Sequence, residues 1–169
     1  LSRDGVLAVT ATDTGALCGS FFSACVRKYW AKPLRNHLMH EVGLRILIRR
    51  VQLIGASYDR ALVPILSYSK DHYMRVFFRC VKGKKEADKI LKLHSMVFDI
   101  GPMWIGKLCD DKILKSVFKK VGGKFLETLL SENQIDVVGF YDLHDLCKKY
   151  KIHNLPKIEV LMGAIVSAG

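Results

Sequence analysis

Acidic residues are scarce beside basic ones: 27 Lys and Arg stand against 16 Asp and Glu, which leaves a formal net charge of +11 over 169 residues. A Lys-rich thermophilic surface would carry balancing Glu, so the imbalance favours a polyanionic partner instead, either nucleic acid or an acidic membrane surface. Cysteine is sparse and irregular. Cys18, Cys25, Cys80, Cys109 and Cys147 form no C-x-x-C pair, which supports neither a disulfide framework nor a zinc motif and points to reduced, mostly buried thiols in a cytoplasmic protein. Long hydrophobic runs are missing as well, since Arg or Gly interrupts each one short of a membrane-spanning length. No basic-then-apolar leader precedes the first strand, and a chain opening on Leu1 rather than Met is expected to begin further upstream. Internal repeats and low-complexity tracts are absent. With half its residues hydrophobic and a quarter charged, the chain is neither disordered nor fibrous.

What is present begins with "GVLAVTATDTGALCG" at residues 5–19. Val6, Leu7, Ala8 and Val9 form a short continuous apolar run, as in strands of parallel α/β sheets buried on both faces. Thr12, Asp13 and Thr14 follow at the carboxyl end of that strand, where open α/β sheets place ligands. Asp13 or Thr14 reads equally well as a cap for the next helix. A loop and helix are expected over 15–32, broken by Pro33. The longest helix is expected from Asn36, as its cap, to about Gly55. His37, Glu41, Arg45 and Arg49 recur every fourth residue and draw one polar stripe on an otherwise apolar cylinder, with Glu41 and Arg45 in the favourable i,i+4 order. "HEVGLR" lacks the second His of a zinc-protease helix.

"LVPILSY" (62–68) and "YMRVFFRCV" (73–81) predict an antiparallel hairpin. Its second strand alternates Met74, Val76, Phe78 and Cys80 on one face with Tyr73, Arg75, Phe77 and Arg79 on the other. The latter face suits stacking on bases and clamping phosphates, or pairing with acids of a covering helix. Lys82, Lys84, Lys85, Lys89 and Lys92 then crowd a basic helix that reads as a solvated face or as an RNA contact beside the arginines. "DIGPMWIGKLCDD" breaks the pattern at Gly101-Pro102 and Gly106, and a domain boundary is placed between 98 and 99. Beyond it lie "DDKILKSVFKKVGG", with acids first and lysines last, then "KFLETLLSEN", "YDLHDLCKKY" and "LPKIEVLMGAIVSAG". The last two have a helix-turn-helix, winged-helix-like layout.

Five blocks in order, "GVLAVTATDTGALCG", "ACVRKYWAKPLR", "HEVGLRIL", "YMRVFFRCVKG" and "GPMWIGKLCD", resemble the tRNA (guanine 26, N2)-dimethyltransferase family, most closely its archaeal members. The resemblance implies an S-adenosylmethionine-dependent enzyme that methylates the exocyclic amine of a tRNA guanine. It implies an α/β fold in which residues 1–98 are the second half, strands five to seven, of a Rossmann-like methyltransferase sheet. Residues 99–169 would form a small, mainly helical and incomplete C-terminal domain. The strands carrying most of the cofactor site, and the Asp of the catalytic motif, are expected upstream, so no catalytic residue is assigned here. Thr12, Asp13 and Thr14 would line the substrate pocket; His40, Glu41 and Arg45 would be structural or stand behind it. Arg75, Arg79, Lys82, Lys84 and Lys85 would contact tRNA. Members' paired cysteines between the basic helix and "GPMW" are absent here, so no metal is carried over. Expected partners are tRNA and the missing N-terminal half, with no membrane. A nonenzymatic basic nucleic-acid-binding module is the alternative.

Overall fold

The computed structural model describes residues 2, 4–133 and 157–168. The alternating residues near the middle of the chain build its sheet. Strands β2 (Arg60–Lys70) and β3 (Tyr73–Lys82) form the expected antiparallel hairpin, turning at Asp71, whose left-handed φ of 50° suits a short polar side chain. The register slips between Pro64 and Leu66, where proline offers no N–H to the ladder. Strand β1 (Val6–Ala11) joins the far side of β3, giving the order β1-β3-β2.

Here the structure corrects two expectations for β1. Its described neighbour is antiparallel, with Val6 opposite Arg79 and Ala11 opposite Met74. Nor is the strand closed in on both faces: Val6 to Val9 are half-buried and Thr10 is exposed, because β1 lies at the rim of the described sheet. The apolar run reports a strand correctly but says nothing about the direction of its partner.

After β1 come α1 (Thr14–Leu17) and α2 (Phe22–Tyr29), which ends on Trp30. Helix α3 (Met39–Ala56) is the longest. It starts later than expected: the Asn36 side chain accepts a hydrogen bond from the Leu38 N–H at 2.8 Å and shapes the turn before the helix instead of capping it. Every residue from His40 to Ile48 is buried, since α3 packs on β2, on α1 and on a second sheet. A helix apolar nearly all round requires that enclosure. Gly43 permits the close approach of α1, because a Cβ there would stand 3.1 Å from the Leu17 carbonyl oxygen.

Helix α4 (Lys84–Leu91) leads into the ribbon of β4 (His94–Val97) and β5 (Ile100–Trp104). The sequence reading treats Gly101-Pro102 as a break, yet both sit in β5. Proline is tolerated on edge strands, and a two-stranded ribbon consists only of edges. The boundary expected between 98 and 99 falls in the turn of this ribbon, which packs against α3. Beyond it, Leu108 accepts from the Ser67 hydroxyl and Asp110 N–H donates to the Ile65 carbonyl at 3.0 Å, fastening 99–110 to the sheet. Helix α5 (Asp111–Val121) is capped by Asp110, which accepts from Lys112 and Ile113 N–H at 2.9 and 3.0 Å. Then follow α6 (Lys124–Asn133) and α7 (Ile158–Ala168), the latter packing on α5 and reaching β1. The ring of Phe125 meets Tyr68 edge-on at 5.1 Å, so the helices share one core with the sheet. The helix expected at 141–150, and with it the helix-turn-helix pairing, lies outside the described residues.

Candidate nucleic-acid interface

At the carboxyl end of β1, Thr12 is exposed and Asp13 and Thr14 are half-buried. Asp13 occupies the cap position of α1 but makes no side-chain cap hydrogen bond. Its carboxylate instead accepts from Lys28 Nζ of α2 at 2.8 Å, in a pair open to solvent. The same carboxylate faces Cys25 and Tyr29. Burial first, and the Asp13 charge second, push the Cys25 thiol up to about 11 and raise the Tyr29 phenol, so Cys25 stays a protonated thiol at neutral pH.

The polar stripe of α3 turns inward. Arg45 Nε lies 3.3 Å from Glu41 Oε1, and the side chains retain only 8% and 0% exposure. Arg45 Nη1 also donates to the carbonyls of Trp104 and Gly106, at 3.0 and 2.9 Å. His40 is buried beside them in sequence, whereas His37 is exposed. These contacts tie α3 to β5.

The five expected tRNA contacts separate into two regions. Arg75 lies across β1 and β3: Nε donates to Thr10 Oγ1 at 3.0 Å, Nη1 to the Tyr68 hydroxyl at 3.2 Å, and the guanidinium sits 4.9 Å from the Tyr73 ring centre. Burial holds the Tyr68 phenol up at about 12, against the opposing Arg75 charge. Arg79 lines a cavity of about 170 Å³ with Asp4, Gly5, Val6, Ile165 and Val166, at the opposite end of β1 from Thr12. Lys82, Lys84 and Lys85 are exposed beyond it. Arg75 and Lys82 stand seven residue steps apart along the strand, or roughly 23 Å. Arg75 therefore stands with Thr10 and Thr12, and the lysines form a separate cationic end. Among the described residues Arg75 meets a hydroxyl, a phenol and a ring, rather than acids of a covering helix.

Sequence reasoning missed two features. One is the pair of Gln52 and His94, joined at 2.7 Å, which no local pattern could connect. The other is the outward face of α2, where Phe22, Val26 and Trp30 are exposed at fourth-residue spacing; that spacing is legible, but its exposure is not.

Comparison with known proteins decides the family. Residues 1–100 and 93–169 match the sequence model described as N2,N2-dimethylguanosine tRNA methyltransferase. The chain belongs to this family. The tRNA (guanine(26)-N(2))-dimethyltransferase of Thermococcus kodakarensis is 36% identical over 195 aligned residues, covering 99% of this chain and 51% of its own. The tRNA (guanine(26)-N(2)/guanine(27)-N(2))-dimethyltransferase of Aquifex aeolicus is 33% identical, covering 95% and 50%. A solved structure of Trm1 from Pyrococcus horikoshii, in complex with S-adenosyl-L-methionine, superposes with a TM-score of 0.72 at 34% identity, over 91% of this chain and 49% of that one. The α/β fold is thus that of the Trm1 structure, and the chain spans about half the length of the relatives it matches.

Pockets for ligands the size of S-adenosylmethionine run to roughly 300–1,000 Å³, and the cavity beside Arg79, about 170 Å³, does not fit one. Asp13, the acid at the carboxyl end of β1, is engaged by Lys28, and the cavity beside Arg79 lies at the other end of the strand. Among the described residues no group of three His, Cys, Asp or Glu side chains is placed to hold a metal, and no helix is long and apolar enough to cross a membrane.

Proposed function

We propose that this chain is the tRNA-binding half of a cytoplasmic, S-adenosylmethionine-dependent enzyme that forms N2-methyl- and N2,N2-dimethylguanosine at tRNA guanine 26. The observation that carries the reading is the family match along the whole chain, and the charge of +11 supports it. In this reading β1, β2 and β3 are strands five, six and seven of a Rossmann-like sheet, which continues from the outer edge of β1 into a half that holds most of the cofactor site. The small C-terminal part from 99 onward, which begins with β5, is mainly helical and winged-helix-like.

Methylating an exocyclic amine requires the nitrogen to be held in line with the methyl donor, an acceptor for the amine proton, and a base lifted from its stack. The chain's own residues serve the first and third needs. Thr12, Asp13 and Thr14 form a wall of the base pocket, with Asp13 fixed by Lys28 and Arg75 beside Thr10. Lys82, Lys84 and Lys85 engage the phosphate backbone, together with Arg79. Glu41 and Arg45, with His40, keep α3 and β5 rigid behind that wall. The proton acceptor belongs to the other half.

Two measurements test the proposal. The 169-residue chain should bind folded tRNA more tightly than duplex DNA of equal length, and equal affinity would favour a nonenzymatic nucleic-acid module. Methyl transfer from labelled S-adenosylmethionine, mapped by nucleoside mass spectrometry, should appear at guanine 26 when the upstream half is present and not with this chain alone. Transfer by the isolated chain would overturn the division of labour.

A further inference from the structure

Helix α2 is held to the molecule by one side only, where Cys25 is fully buried and Ala24 and Tyr29 pack on the core. The opposite side carries Phe22, 53% exposed, Val26, and Trp30, 72% exposed. Their spacing of four places them on one face of the helix. Arg27 and Lys28 stand in the last turn, and the helical sequence FSACVRKY contains no acid. Trp30 closes the helix with a φ of 54° and ψ of 43°, a left-handed cap that Gly adopts freely and a bulky side chain resists. Nothing in the local backbone calls for tryptophan there, and strain of this kind gathers at functional positions.

The segment after Trp30 is anchored. Lys32 N–H donates to the Gly101 carbonyl at 2.6 Å, Gly101 N–H returns a bond at 2.9 Å, and Lys32 Nζ holds Asp99 at 2.6 Å. This bridge sets the end of α2 beside the β4–β5 turn, whose Phe98 is 97% exposed and also left-handed, with a φ of 54°. On the other flank, Lys28 is paired with Asp13 at the carboxyl end of β1.

From this arrangement we infer that the outward face of α2, ending in Trp30, is a stacking surface for unpaired bases of the RNA substrate, beside the pocket wall at Thr12–Thr14. The inference rests on the proposed reading that the partner is RNA. Aromatic faces stack on any base, and cations alongside them hold the backbone. A protein interface would also use aromatics, but α2 carries no acid and both of its charged side chains, Arg27 and Lys28, are cationic, which suits a polyanion.

The chain carries its own reporter. Its second tryptophan, Trp104, is 4% exposed and its indole N–H donates to the Lys107 carbonyl at 2.9 Å, so a change in the exposed-tryptophan emission reads Trp30. The 169-residue chain is titrated with unmodified tRNA and with a short single-stranded RNA. Quenching of Trp30 emission is expected, with affinity reduced about fivefold or more in Trp30→Ala and restored in Trp30→Phe. Phe22→Ala gives a second, independent loss. Unfolding midpoints of both variants confirm that they fold. Full RNA affinity in Trp30→Ala, with no quenching in the unmutated chain, overturns the stacking surface while leaving tRNA binding through the lysines intact. Loss of self-association by sedimentation, with RNA affinity unchanged, overturns it in favour of a protein-covered face. Failure of the unmutated chain to bind either RNA removes the underlying reading as well.

Discussion

Arg45 on α3 donates to the carbonyl of Trp104 on β5 across 3.0 Å, while holding Glu41, one helical turn earlier, at 3.3 Å. The carboxylate is fully buried, so what matters is less the attraction of the pair than the result of removing one member. Arg45→Met leaves a buried carboxylate beside its lost partner, and a destabilisation of about 3–5 kcal/mol is expected. The double change Glu41→Leu with Arg45→Met should cost clearly less than the sum of the single changes. Urea unfolding of the three variants measures this, and strict additivity would show that the two side chains are uncoupled.

The cationic end of the hairpin gives a salt-dependent signature. Four phosphate contacts, from Arg79, Lys82, Lys84 and Lys85, would make log K fall with log salt at a slope of about −3. Replacing Lys82, Lys84 and Lys85 together by alanine should flatten that slope by about 2 to 3. A slope near zero in the unmutated chain would remove the electrostatic RNA face altogether.

His94 predicts an acid-sensitive fold. Gln52 Nε2 donates to the Leu62 carbonyl at 3.1 Å, so its Oε1 faces His94 and accepts from the Nε2–H of a neutral imidazole. Burial first, and the Arg49 charge second, lower the His94 pKa from 6.5 to about 4. The unfolded chain therefore takes up this proton before the folded one does. Stability contributed by the neutral ring is intact above 6.5 and is lost as pH falls from there toward 4. His94→Asn should flatten unfolding free energy against pH in that window relative to the unmutated chain.

Trp30→Gly separates folding from binding. Relieving the left-handed cap should raise stability by about 1 kcal/mol, seen as a higher urea midpoint at unchanged slope. RNA affinity should fall in the same variant. A stabilised variant that binds RNA fully would make Trp30 a dispensable surface residue.

Much of this fold is legible from periodicity. The hairpin at 60–82 follows from the alternation of Met74, Val76, Phe78 and Cys80, and α5 follows from acids before and lysines after its apolar stripe. The direction of β1 is not, because its partner lies far along the chain and an apolar run carries no vector. The β4–β5 ribbon is missed because Gly101-Pro102 reads as punctuation until an edge strand is known to hold it. Asp13 stands just past the end of β1 at the cap position of α1, but its choice of Lys28 over the α1 backbone is a tertiary matter. The arginines and lysines of 75–85 look like one patch in sequence, and the length of an extended strand pulls them apart.

The order β1-β3-β2 also dictates a timetable. During synthesis Val6 leaves the ribosome long before Arg79, the residue it must face, while β2 meets β3 almost at once. Of the three described strands of this sheet, the one made first meets its described neighbour last, and the edge it offers to β3 stays open until the hairpin is made to close it.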